Sequence, residues 1–225
     1  MWSWEQIREI NRLRREGRAL GDIAALKFAM LAGPQHAGHE RLHALRSPCL
    51  EVDMAALRGL PEGTVGREYA RQLEAQGLMP LVIGAEVKAR LADQPLALRY
   101  TTTHDLVHVL TGFSTTPAGE LGVFAFMIGQ GFGSSRALLW LSAIVSSLAM
   151  PLHVPGIWHN IRVGLKMARE ARPMLEAPLE ELLAVPLAEA RARLGLRPET
   201  IAAIRPGHPS LLAHWLLAKS SKATA

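Results

Sequence analysis

Residues 100–120, Y-T-T-T-H-D-L-V-H-V-L-T-G-F-S-T-T-P-A-G-E, read as two helices joined by a tight turn. Leu96, Leu98, Leu106, Val107, Val109 and Leu110 give the first helix an apolar surface, and Gly112 falls where a left-handed stop is expected. On that helix His104 and His108, four residues apart, share a face, and Asp105 borders it three residues before His108. After the turn, Thr116 is placed to cap a second helix with Pro117 in its first position, where a missing N–H costs nothing. Glu120 then lies about one turn inside the second helix and His108 about one turn before the end of the first. An antiparallel return brings them to similar depth, so the spacing predicts a helical hairpin that gathers two imidazoles and one or two carboxylates.

Imidazole nitrogens with carboxylate oxygens suit zinc in a tetrahedral site, and the same donors serve non-haem iron or manganese. The competing reading is structural: histidines on a buried helix are often held by carboxylates, and Asp105 can orient a ligating ring without touching the metal.

The motif resembles that of the coenzyme Q (ubiquinone) biosynthesis protein 4 family, H-D-x-x-H followed by eleven residues and Glu, which His104, Asp105, His108 and Glu120 match position for position. Arg99, Tyr100 and Thr103 before it, and Thr115, Thr116 and Gly119 within it, agree as well. A second block, L-P-E-G-T-V-G at residues 60–66 continuing through Tyr69, Leu73 and Gly77 to Pro80, is similar to the family's L-P-x-G-T-L-G stretch. The resemblance covers residues 47–196 and departs from the family pattern at Thr101, Thr102 and Val107, and across residues 126–130, where many relatives carry charge.

The resemblance implies an all-α homodimer on a membrane face, acting with other quinone-biosynthesis enzymes on a polyprenylated aromatic precursor. It implies removal of the ring C1 carboxyl, with hydroxylation there, and a divalent metal held by His104, Asp105, His108 and Glu120: zinc foremost, iron or manganese as alternatives. Two other readings stand beside it. One is a noncatalytic scaffold that binds an isoprenoid lipid. The other is a metal-dependent hydrolase, which is disfavoured because the position after the first histidine is Asp105, where a zinc peptidase carries its glutamate base.

Bulk properties agree with a folded, basic chain. With 225 residues, 49% of them hydrophobic, the sequence is long enough to bury a substantial core. The single cysteine, Cys49, excludes an internal disulfide and a multi-thiolate metal site, and reads as an ordinary buried thiol. A formal charge of +5 favours anionic partners. No zinc finger or basic stripe interleaved with aromatics accompanies it, so nucleic acid is not expected.

No signal or transit segment is read at the start, so the expected place is cytoplasmic, peripheral on the inner membrane face, for a bacterial-type chain. Three segments are expected: amphipathic helices over residues 1–46, a family-like helical core over 47–197, and a tail over 198–225 that docks or lies on a membrane surface. Residues 2–20 read as a helix with Trp4, Ile7, Ile10 and Leu13 set against Arg8, Arg12 and Arg15, and a second short helix follows from Gly21. His36, His39 and His43 read as surface histidines. Residues 179–194 read as one helix.

From Arg136 to Arg162 no charged residue intervenes, yet the apolar run is too short for the ~20 residues a membrane-spanning helix needs, and Pro151 closes it. With residues 121–133 it is expected to build an apolar groove. No alternating strand pattern of useful length is present, so the expected fold is an all-α, single-domain helical bundle.

Overall fold

The computed structural model describes residues 17–207 except Pro34, Gln35, Ala44, Arg46 and Ser134, and with them Arg8, Arg12, Leu13 and Arg15. In chain order the helices are α1 (Leu20–Ala32), α2 (Gly38–Leu42), α3 (Met54–Arg58), α4 (Val65–Ala75), α5 (Ala85–Arg90), α6 (Pro95–Thr111), α7 (Pro117–Gly129), α8 (Arg136–Ala149) and α9 (Val154–Glu170), followed by α10 (Leu179–Leu182), α11 (Leu187–Arg193) and α12 (Pro198–Ala202). Single 3-10 turns fall at Pro151–His153 and Met174–Glu176. The described residues contain no strand beyond one isolated bridge between Thr64 and Pro186. The all-α expectation therefore holds.

α6 is the central element, with Leu96, Leu106, Val107 and Leu110 buried in the main core among Tyr69, Leu73, Phe113, Phe126 and Met167. Its stop is the expected one: Gly112 takes φ 82° and its N–H bonds the His108 carbonyl. Thr116 caps α7 by accepting from Gly119 N–H, with Pro117 in the first turn. α7 then packs on α9 through small residues. A Cβ added at Gly164 would sit 2.3 Å from the Gly122 carbonyl oxygen, and one at Gly129 2.5 Å from the Ala168 Cβ. Main chain on main chain leaves no flexible side chain to yield, so this crossing is closer than larger residues permit.

The far side of α6 is held by a clasp that the sequence pattern does not announce. Arg99 is fully buried, donates to the Leu175 and Ala177 carbonyls at 3.2 and 2.8 Å, and pairs bidentately with Glu180. Five guanidinium donors facing two carbonyls and a carboxylate satisfy a buried charge that would otherwise be costly.

Several local expectations are corrected. The first helix does not run through to Leu20: Gly17 takes φ 68°, and Leu20 opens α1 instead. Most of residues 2–16 lies outside the described part. His39 is buried, not superficial, with its ring on the Gly33 carbonyl and the Leu96 N–H. Its neighbour His36 faces the Gly133 carbonyl at 2.9 Å, so both rings tie backbone segments together. The helix read over residues 179–194 is two, α10 and α11, because Pro186 lacks the N–H that continuation requires. Cys49 is a buried free thiol, and burial pushes its pKa up.

α8 differs from every other long helix. Of its fourteen residues only Leu139 and Ala143 are buried, while Leu141, Ile144, Val145 and Leu148 are exposed. No described helix is long and apolar enough to cross a membrane.

Candidate metal centre

The α6–α7 hairpin brings His104, His108 and Glu120 together, with one potential ligand atom from each lying within 4.8 Å of the others. Glu120 reaches both rings: Oε1 is 3.4 Å from His108 Nε2, and Oε2 is 3.5 Å from His104 Nε2. The rings stand edge to face, with centroids 4.9 Å apart.

The second nitrogen of each ring is already engaged. His108 Nδ1 lies 3.0 Å from the Phe113 carbonyl, which can only accept, so Nδ1 carries the proton and Nε2 keeps its lone pair. His104 Nδ1 lies 3.4 Å from Asp105 Oδ1, which fixes the same tautomer. Two imidazole lone pairs and a carboxylate therefore converge from three sides. A carbonyl and a carboxylate behind the rings are the backing that metal-bound histidines characteristically have.

His108 is where this arrangement is least satisfied. Its side chain is fully buried, and Nε2 has no hydrogen-bond partner, with the nearer Glu120 oxygen standing 3.4 Å away. An unpaired buried nitrogen costs on the order of 1–3 kcal/mol. Nε2 is thus aimed at something the polypeptide does not provide, and the donor set of two nitrogens and one oxygen fits a divalent cation with a position left open. Glu120, with its side chain 43% exposed, opens the site towards solvent.

The electrostatics match. Burial works to lower the His108 pKa, but the Glu120 carboxylate outweighs it, assisted by the Phe113 carbonyl and Asp105, and the ring is held above the usual histidine value. Burial conversely works to raise Glu120, but His108 and then His104 prevail against it and against Asp105, and the carboxyl is held below its usual value. Two tyrosines frame the centre. Burial and the Asp105 charge raise Tyr69, and burial and the Glu120 charge raise Tyr100, so both phenols stay protonated. Tyr100 stacks on Phe28, with ring centroids 4.1 Å apart, and its other neighbour is His104 at 5.6 Å.

Of the four residues expected at the site, three form the cluster. Asp105 stands behind His104, with Oδ1 3.4 Å from Nδ1, where orientation of the ring without ligation would place it. One contributor is invisible to the motif, the Phe113 carbonyl, because a main-chain acceptor leaves no mark on residue type. Tyr100 and Tyr69 match the family pattern, but nothing in their spacing places them beside the cluster. A cavity of about 590 Å³ borders the hairpin turn, lined in part by His108, Gly112, Ser114, Arg71 and Arg191. Arg191 donates to the Val109 and Leu110 carbonyls at 3.0 and 2.9 Å, closing the C-terminal end of α6.

A profile of the family described as coenzyme Q (ubiquinone) biosynthesis protein Coq4 matches residues 45–200, a span that contains the whole cluster. The ubiquinone biosynthesis protein coq4 of Talaromyces stipitatus is 32% identical over 196 residues, which cover 79% of this chain and 64% of that protein. The COQ4 homolog of Danio rerio is 32% identical over 162 residues, covering 68% of this chain and 56% of its own length. Homolog 1 of Culex quinquefasciatus is 28% identical over 159 residues, covering 64% and 52%. All three carry the word mitochondrial in their names, and the chain spans roughly half to two thirds of each. Among solved structures, a Nostoc punctiforme PCC 73102 protein assigned to ubiquinone biosynthesis superposes with a TM-score of 0.57 at 22% identity, covering 85% of this chain and 87% of that one. That likeness concerns the fold.

Proposed function

Because the chain belongs to the coenzyme Q (ubiquinone) biosynthesis protein Coq4 family, we propose that it acts on a polyprenylated aromatic precursor of coenzyme Q, supporting loss of the ring C1 carboxyl at a divalent-metal centre. His104, His108 and Glu120 would hold the cation, zinc foremost with iron or manganese as alternatives, and Asp105 would fix the His104 ring. The observation that carries this reading is the buried, unpartnered His108 Nε2 converging on His104 Nε2 and the Glu120 carboxylate.

When bound, the metal supplies a positive charge that offsets a substrate carboxylate or phenolate oxygen as charge shifts between ring and carboxyl. The chain's own residues set the conditions for that. Phe113 and Asp105 keep the Nδ1 protons in place, so both Nε2 lone pairs point inward. Tyr69, buried in the core with Leu106 and Val107 of α6, and Tyr100, on α6 itself and packed on the same core, stay protonated beside the histidines. Hydroxylation at the same carbon requires an oxidant, and dioxygen is the class of co-reactant that would be needed. The prenyl chain would lie along the apolar helices between Leu121 and Leu152, with the exposed side of α8 meeting a membrane surface as a peripheral contact. A homodimer and contacts with other quinone-biosynthesis enzymes complete the reading.

The scaffold alternative has one observation in its favour, the uncovered apolar side of α8, which needs a partner whether or not the metal is used. Hydrolysis finds less support, since Asp105 is turned to His104 and is not free beside the cluster as a base.

The test is quinone and intermediate profiling by mass spectrometry in cells lacking the protein, complemented with wild type or Glu120→Ala, with metal content measured on both purified proteins. Accumulation of carboxylated prenyl-ring precursors that wild type alone clears supports the metal-dependent reading. Restoration of quinone by a metal-free Glu120→Ala protein rejects it and favours the scaffold.

A further inference from the structure

Four threonines lie on α6, and three of them tie their hydroxyl to the helix itself. Thr102, Thr103 and Thr111 each donate to the carbonyl four residues back, at 3.0, 2.7 and 2.7 Å, the usual arrangement for a threonine inside a helix. Thr101 does not. Its side chain belongs to a residue only 4% exposed, yet Oγ1 has no hydrogen-bond partner. A buried hydroxyl left unpaired is unfavourable, and the other α6 side-chain atom in that condition is His108 Nε2.

The two unpaired atoms share one face. Seven residues turn a helix about 20° short of two full turns, so Thr101 and His108 lie nearly in line, about 10 Å apart along the axis, and His104 stands between them about 4.5 Å from Thr101. His108 Nδ1 is turned to the Phe113 carbonyl in the hairpin, which leaves Nε2 on the side of the ring away from the hairpin, where Thr101 lies. Helical side chains lean towards the N-terminus, so both imidazoles reach back along α6 over the turns that precede them. The His104 ring accordingly stands 5.6 Å from that of Tyr100. α1 covers this part of α6: Phe28 stacks on Tyr100, and Ile23, Leu26 and Ala29 cluster with Ala97 and Leu98. The partly open edge is formed by His104 and Asp105, whose side chains are 27% and 22% exposed one turn from Thr101.

A neutral donor beside two imidazole lone pairs and a carboxylate selects among ligands. The donor set of His104, His108 and Glu120 fits a divalent cation with a position left open. A carboxylate brings two oxygens, so one can meet the cation while the other accepts from a hydroxyl on the same helix face. A phenol brings one oxygen and cannot serve both at once. Thr101 can only complete such a pair if its hydroxyl is not already bonded to its own helix, and that is the condition in which it stands.

We propose that Thr101 is a substrate-binding residue, whose Oγ1–H donates to one carboxylate oxygen of an aromatic acid while the other oxygen lies at the open side of the His104, His108 and Glu120 cluster. The inference rests on the metal-centre reading and adds to it the group that recognises the carboxyl. Held at both oxygens, the carboxyl has a fixed orientation relative to the ring that bears it. The hydroxyl stays unpaired in the ligand-free protein, at a cost in stability that ligand binding offsets.

The test loads the full chain with cobalt(II), whose visible spectrum reports its ligands, and titrates it with benzoate and, separately, with phenol. Thr101→Val should take up cobalt as wild type does but bind benzoate about tenfold or more weakly. Thr101→Ser, which keeps the hydroxyl, should recover most of that loss, and phenol should bind both variants and wild type alike. The melting temperature of the metal-free protein gives a reading that needs no ligand. Thr101→Val removes an unpaired buried hydroxyl and should melt at or above wild type, whereas loss of a hydroxyl with a merely structural role would lower the Tm. Equal benzoate affinity in wild type and Thr101→Val overturns the proposal. So does a lower Tm for Thr101→Val, an equal loss of phenol binding, or a cobalt-loaded wild type that binds no benzoate. A wild-type protein that takes up no cobalt rejects the metal centre itself, and this inference with it.

Discussion

α7 and α8 are consecutive, of nearly equal length, and both strongly apolar, yet the bundle treats them in opposite ways. α7 buries Leu121, Val123, Ala125, Phe126, Met127 and Ile128 and meets α9 backbone to backbone, whereas α8 buries Leu139 and Ala143 and leaves Leu141, Ile144, Val145 and Leu148 outward. Apolar content alone therefore does not fix burial. Glycine and alanine on α7 allow close approach, while the leucines and valine of α8 hold a surface open to another partner. Rigidity follows the chemistry, because α7 carries Glu120 and must hold a carboxylate against two rings on another helix.

The strongest challenge to this contrast is Gly164→Val. Its Cβ would overlap the Gly122 carbonyl, which cannot move aside, and the substitution should destabilise the protein by about 3 kcal/mol or more, read as a large fall in Tm or loss of soluble protein. A near-normal Tm would mean that the α7–α9 crossing is looser than described.

Next in size is His108→Ala, which removes the buried donor. Bound metal in the purified protein should fall to background while helical content by circular dichroism is retained. Asp105→Asn keeps the shape but weakens the hold on His104, and metal affinity should drop about 10–100-fold by competition with a chelator. If Asp105→Asn and His108→Ala lose metal equally, Asp105 is a ligand and not a support.

Acidity sharpens the same point. With His108 raised and Glu120 depressed, their pair stabilises the metal-free protein most at pH values between the two. The His108 contribution is complete below its ordinary unfolded value and fades as pH rises through its elevated folded value; the Glu120 contribution fades as pH falls through its lowered one. A metal ion displaces the His108 proton. The rise in Tm on adding metal should therefore grow as pH climbs through the His108 titration, and a pH-independent rise would place the ion elsewhere.

The smallest expected effect is on α8. Val145→Ser, at an exposed position, should change stability by no more than about 0.5 kcal/mol, while vesicle flotation, if α8 meets the membrane, should weaken measurably. A stability loss of several kcal/mol would show that the stripe is already buried in the protein in solution.

The hairpin is legible in the sequence because its punctuation is local: Gly112 stops one helix, Thr116 and Pro117 start the next, and the intervals around them place His104, His108 and Glu120. What escapes depends on distant partners. Arg99 looks like a solvated cation until Glu180, 81 residues later, is beside it. His39 looks superficial until α6 supplies the Leu96 N–H. Pro186 is a local sign, hidden by leucines and alanines whose pattern continues on either side. The exposure of α8 has no counterpart in composition, since its residues suit a core equally well.

The acceptor behind His108 is the carbonyl of residue 113, and a carbonyl survives every substitution at that position. Drift can replace the phenylalanine, at some cost to packing, without erasing the feature that orients the ring. Only a gain or loss of residues in the turn could remove it. A lineage can thus shed much of its sequence identity around this turn and still inherit the same tautomer, provided that insertions and deletions stay out of the few positions between Gly112 and Thr116.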